Sequence, residues 1–169
     1  WNINSAPTIN VGSTLTGIGV LNVNSIFAIP YDITFTFSTI NNKSTIGGTG
    51  IKTYPRGIII NNTDGTLSGG KHILANGATL YSVASTSVVP ITISQTTLEN
   101  HGIINIQSGN KIQGVSTNTF FNNESDGVVN VNTVNNNTWQ NLQFSNKGSF
   151  NKTTNTVTIF DANFGSASF

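Results

Sequence analysis

The sequence predicts an all-β protein and, among all-β architectures, a parallel β-helix, or β-solenoid. Three observations point there. Strand-forming segments recur along the whole chain, while stretches free of Gly, Pro, Asn and β-branched residues are too short for three helical turns. Only 8% of the residues are charged, and the net charge is +1, with roughly one residue in seven an asparagine. A short phrase built around glycine returns at intervals of about 20–25 residues, the scale of one solenoid coil. The alternative architecture is a β-sandwich in which that phrase is only hairpin chemistry.

Taken in order, the strand candidates are "INVGSTL" (9–15), "ITFTFSTI" (33–40), "GIIINN" (57–62), "TLYSVAS" (79–85), "VVPITIS" (88–94), "GIINIQ" (102–107), "GVVNVN" (127–132) and "TVTIFDA" (156–162). Many alternate apolar and polar residues, as a half-buried strand does. The segments "NNKS" (41–44), "NTDG" (62–65), "SGGK" (68–71), "ANG" (75–77) and "ESDG" (124–127) carry turn chemistry. The 169 residues suffice for one domain with its own core. Residues 1–169 are therefore read as one solenoid domain, less regular over about 1–60 and clearest over about 66–154.

The phrase is "LENHGIINIQ" from Leu98, "FNNESDGVVNVN" from Phe121 and "FSNKGSFNKT" from Phe144. Aligned on Gly102, Gly127 and Gly148, the second residue onward is Ile104, Val129 or Phe150. The third is Asn105, Asn130 or Asn151. Leu98, Asn100, Phe144 and Asn146 precede the glycine, and the middle copy carries two extra residues after Phe121 and Asn123. Echoes stand at Gly19, Leu21 and Asn22 and, more weakly, around Gly77. In a solenoid Ile104, Val129 and Phe150 stack as an inward column. Their neighbours Asn105, Asn130 and Asn151 then face outward, because strand side chains alternate, and stacked amides can bond along the axis.

The stretch "ILANGATLYSVASTSVVPITISQTTLENHGIINIQS", within about residues 66–154, resembles the N-terminal domain of fungal hyphally regulated cell-wall proteins, a family of yeast surface adhesins. The resemblance implies a right-handed β-helix displayed on a cell surface. It brings no catalytic residue with it.

Chemistry-bearing residues are few. The acids are Asp32, Asp64, Glu99, Glu124, Asp126 and Asp161. Only Glu124 and Asp126 lie close, and they read as a solvated turn or a weak calcium site, which would need six or more oxygens. The two histidines, His72 and His101, have no metal-ligand spacing around them. "TLSGGKH" lacks the first glycine of a phosphate loop and has His72 where Ser or Thr belongs, so it reads as a turn. There is no cysteine, hence no disulfide or thiol chemistry. No cofactor is expected. Trp1, Tyr31, Tyr54, Tyr81 and Trp139 can stack on sugars, or serve as core and cap. Five sequons, at Asn42, Asn61, Asn123, Asn136 and Asn151, are candidate glycosylation sites. Asn123, Asn136 and Asn151 are expected to face solvent.

These readings lead to an extracellular adhesin or cell-surface structural domain, non-catalytic, meeting a cell surface or glycan ligand through polar rows. It is expected to be part of a longer surface protein. The alternatives are a filament subunit that self-associates end to end, an ice-binding protein, and a carbohydrate-active β-helix enzyme. Threonine does not recur in phase with the glycines, which disfavours ice binding, and the scattered acids disfavour an enzyme. The small net charge gives no reason to expect nucleic acid. No apolar run approaches the length that spans a bilayer, so no membrane insertion is expected.

Overall fold

The computed structural model of the protein describes residues 1–10, 15, 17–85, 91–109, 111–161 and 167–168. The described residues form strands, bends and turns, with no helix, so no helix is long and apolar enough to cross a membrane. The strands lie on three faces of eight, seven and seven strands. The chain visits the faces in turn. Ile59–Thr63 lies on the first, Gly65–Ser68 on the second and Lys71–Leu74 on the third; Thr79–Val83 then returns to the first. Each strand pairs in parallel with its counterpart one coil away. Parallel pairing on all three faces is a β-solenoid and sets the sandwich aside.

Alternation decides what goes inside. On the first face Leu21, Ile40, Ile60, Leu80, Ile104, Val129 and Phe150 stack in register. The first six are fully shielded from water, and Phe150 packs half-buried against the core. The expected column is therefore present, and it extends four coils further toward the N-terminus than the glycine phrase suggests. Partners one coil apart are separated by as few as 19 residues (Asn22 to Asn41) and as many as 27 (Lys111 to Thr138). The extra residues sit in corners, which leaves the strand register intact.

Several expectations need correcting. The region 1–60 does have shorter strands, such as Phe27–Ala28 and Ile33–Thr34. It nevertheless stacks on the same three faces as the rest. "ITFTFSTI" is two strands, Ile33–Thr34 and Thr39–Asn42, with Phe35 and Phe37 buried at the corner between them. The asparagines of "NNKS" and "NTDG" belong to the strands Thr39–Asn42 and Ile59–Thr63 instead of making turns. The Gly77 echo is one residue out of phase. Buried Ala78, two before Leu80, stands where Gly102 does, two before Ile104. "INVGSTL" and the start of "VVPITIS" lie largely outside the described residues.

Toward the C-terminal end the core becomes aromatic. Trp139 stacks on Phe121 at 5.2 Å between ring centroids and meets Phe144 edge-on at 4.8 Å. Phe144 stacks on Phe160 at 5.2 Å. Trp139 and Tyr54 are thus core residues, unavailable to a sugar.

Candidate functional site

The first face carries an asparagine ladder on its outer side. Asn2, Asn22, Asn41, Asn61, Tyr81, Asn105, Asn130 and Asn151 stand in one column, one per coil. Asn22 Nδ2 donates to Asn2 Oδ1 at 2.8 Å, Asn41 to Asn22 at 2.7 Å and Asn61 to Asn41 at 2.9 Å. Beyond Tyr81 the ladder resumes, with Asn130 donating to Asn105 at 2.9 Å and Asn151 to Asn130 at 3.0 Å. Each inner amide spends one N–H and one lone pair on the ladder and keeps one of each for a partner. The neighbouring outward column reads Val20, Thr39, Ile59, Thr79, Ile103, Val128 and Ser149. Val20 (42%), Ile59 (41%) and Ile103 (38%) are open to water despite being apolar. Neither column contains a charged residue.

A second ladder is hidden at the corner between the third and first faces. Asn100, Asn123 and Asn146 stack in register. Asn100 Nδ2 donates to Asn123 Oδ1, and Asn123 Nδ2 to Asn146 Oδ1, each at 2.7 Å. Asn100 and Asn123 are inaccessible to solvent. Asn123 also donates to the carbonyls of Gly127 (3.3 Å) and Ser149 (3.1 Å). This ladder explains the glycine of the repeated phrase. A Cβ on Gly127 would overlap the Asn100 carbonyl and the Asn123 amide, and one on Gly148 the carbonyls of Glu124 and Gly127. Asn42 and Asn62 form a like pair, at 2.7 Å, against Gly65.

The sequons therefore divide. Asn42 and Asn123, expected in turns, are buried in the inner ladders, and the expectation that Asn123 faces solvent is wrong. Their amide nitrogens are committed to neighbours, with no space for a sugar. Asn136 and Asn151 are exposed, and Asn61 is half-exposed. Asn61 and Asn151 use Nδ2 in the outer ladder. Asn136 uses its Oδ1, which accepts from the Val157 N–H at 3.0 Å.

Glu124 and Asp126 diverge. Lys147 Nζ lies 2.9 Å from Glu124, while Asp126 accepts from His101 Nδ1 at 2.7 Å. His101 Nε2 approaches Glu99 at 3.3 Å, and Lys71 closes on the same carboxylate. Partial burial opposes charge on both Glu99 and His101, but it is outweighed by the hydrogen bonds and charges of Lys71 and His101 at Glu99, and of Asp126 and Glu99 at His101. Glu99 is held below the usual carboxylate range and His101 above the usual imidazole range. The His101 hydrogen bond likewise lowers Asp126. This clasp ties three successive coils. Among the described residues no group of three or more His, Asp or Glu has the arrangement to hold a metal ion.

Sequence reasoning missed a polar stack inside the solenoid. Lys52 and His72 lie in one inward column, and both are sealed from solvent. Lys52 Nζ donates to the carbonyls of Gly48 and, at 3.0 Å, Gly69. Burial pushes its pKa down to about 8, against the opposing charge of Asp32. Burial and then the Lys52 charge lower His72 to about 3, so the ring is neutral. Its Nδ1 lies 3.0 Å from the Tyr54 hydroxyl and its Nε2 3.4 Å from the Ser68 carbonyl. Tyr54 O–H donation to Nδ1 leaves the proton on Nε2 for that carbonyl. The signal was present in "IKTY", where alternation puts Lys52 on the same side as Tyr54. In "TLSGGKH" Gly69 (φ 61°) and Gly70 (φ 54°) both turn left-handed, the conformation glycine adopts without strain.

The other surfaces offer less. Thr45, Thr66 and Thr92 are in register outside the second face, but Gln113, Gln140 and Asp161 follow them in the column. An open depression of about 320 Å³ on the third face is lined by Asp32, Ile33, Thr34, Ile51, Thr53 and Ile73. Trp1 is exposed and meets Phe37 edge-on at 6.1 Å; Tyr31 is half-buried. The uncharged outer ladder is thus the most regular feature the molecule presents. Compared with protein-family models, curated proteins and solved structures, the chain matches none.

Proposed function

We propose that this protein is an extracellular adhesin or cell-surface structural domain that works by contact and not by catalysis. The observation that supports it is the outer face itself: a neutral row of amides, interrupted only by Tyr81 among the described residues, with unspent hydrogen-bonding capacity and held on a stack of coils. Each rung binds a hydroxylated surface weakly, and many copies on one cell make the contact strong. The acids that a β-helix enzyme would aim into a groove are engaged by basic side chains instead: Glu99 by Lys71 and His101, Asp126 by the same His101, and Glu124 by Lys147. The location outside a cell rests on the low charge, the amide- and hydroxyl-rich surface and the resemblance to yeast surface adhesins.

Beads coated with the domain test this reading. They should adhere to glycan-bearing cell surfaces far better than the soluble monomer binds them. Turnover of a polysaccharide, abolished by Glu124→Gln or Asp126→Asn, would replace the adhesin with an enzyme.

A further inference from the structure

The outer ladder breaks once, at Tyr81, and the break leaves a distinctive arrangement. Asn61 donates to Asn41, but among the described residues nothing donates to its Oδ1. Asn105 accepts from Asn130, but its own Nδ2 has no partner there. Tyr81 stands between them in register, half-exposed on the outer side. An aromatic ring is thus flanked along the solenoid axis by a free carbonyl on one side and a free amide N–H₂ on the other. Beside it run Ile59, Thr79 and Ile103, in the same three coils.

We propose that this break is a subsite for one pyranose ring of an uncharged, extended β-1,4-linked polysaccharide lying along the solenoid axis. The inference deepens the adhesin reading and rests on it for the kind of surface bound. The ring supplies a flat apolar platform for the C–H face of a sugar. The Asn61 carbonyl accepts from one hydroxyl, and the Asn105 amide donates to another. Successive coils are about 4.8 Å apart, close to the length of one pyranose residue in an extended chain. Neighbouring sugars therefore meet neighbouring rungs, each with one N–H and one lone pair to offer. Charge selects the partner class. The six residues of the patch are all uncharged, so they offer nothing to offset the phosphates of a nucleic acid or the carboxylates of a polyuronate.

The test is titration of the whole domain with cello- and chito-oligosaccharides of two to six residues, followed through the side-chain amide NMR signals of Asn61 and Asn105. Affinity should rise with chain length. Tyr81→Ala should weaken the hexamer about tenfold, the equivalent of one aromatic stacking contact. Tyr81→Phe, which keeps the platform and the fold, should bind like the wild type. Three results would each overturn the subsite: no binding of either series, equal binding by Tyr81→Ala, or tighter binding of a polyuronate or single-stranded DNA. Beads carrying Tyr81→Ala separate the two readings. If they still adhere while the oligosaccharides fail to bind, the subsite is wrong and the adhesin reading stands. If oligosaccharides bind wild type but no bead adheres, the adhesin reading fails alone.

Discussion

Replacing Asn123 by alanine should be among the most damaging single changes on the surface-like side of this sequence. Asn123 reads as a polar turn residue, yet it is the middle rung of the buried ladder. The substitution removes two amide–amide bonds of 2.7 Å and two bonds to the Gly127 and Ser149 carbonyls. Each such bond is worth about 1 kcal/mol net, and a buried group left unpaired costs a further 1–3 kcal/mol. Asn100 retains the Val128 carbonyl at 3.3 Å and so is partly compensated. The Asn146 carbonyl oxygen loses its ladder donor. The Asn123 amide has two N–H groups for its three acceptors, so its donated bonds count as two. With the bond accepted from Asn100 that is about 3 kcal/mol, and the unpaired group raises the total to about 4–6 kcal/mol, a large share of the stability of an ordinary domain. Asn130→Ala is the control: it removes a rung of the outer ladder, where water replaces the lost partners, and should cost less than about 1 kcal/mol. Urea unfolding followed by Trp139 fluorescence gives both values. If the two variants are equally stable, the inner ladder does not brace the coils and the explanation of the glycine phrase fails.

Other substitutions follow from the same geometry. Val129→Asp places an unpaired carboxylate in the first-face core and should cost several kcal/mol by the same unfolding assay. Lys52, with its folded pKa lowered to about 8, carries a burial penalty that is full below that pH and relieved as pH rises toward 10.5. Wild type should therefore gain up to about 3 kcal/mol on Lys52→Met across that range, and parallel stability curves for the two proteins would contradict the assignment. His101 is raised, so its contribution is present at low pH and lost as pH rises through its folded value; Glu99 and Asp126 are lowered, so theirs is lost as pH falls through their folded values. His101→Gln should lower the Tm at about pH 5 and leave it nearly unchanged at about pH 9. Protein secreted from a eukaryotic host should carry glycan at Asn136 and none at Asn42 or Asn123, as peptide mass spectrometry after deglycosylation would show; occupied Asn42 in folded protein would contradict the inner ladder.

How much of this was legible in the sequence depends on distance. Ile104 and Asn105 could be sorted inward and outward because strand alternation is local and Gly102 fixes the phase. The solenoid followed because three copies of one phrase imply stacking. Asn123 was misjudged because an Asn four residues before a glycine looks like turn chemistry, and nothing in the sequence marked Asn100 or Asn146 for burial beside it. Their amide–amide bonds are made with the next coil, more than 20 residues away, and nothing local announces such a partner. Lys52 was hidden for the same reason, since its carbonyl acceptors are supplied by corners of two coils. Tyr81 stood out only as one aromatic among several until the register put it in the asparagine column.

The claim that the neutral first face makes the contact is tested most directly by placing charge on one face at a time. Ile59→Glu with Ile103→Glu puts two exposed carboxylates on the first face, two coils apart. Thr66→Glu with Gln113→Glu puts two carboxylates, likewise two coils apart, at half-exposed outward positions of the second face. With both proteins shown to unfold at the wild-type urea midpoint, bead adhesion should be lost for the first pair and kept for the second. Equal adhesion by the two, or loss confined to the second face, would contradict the account.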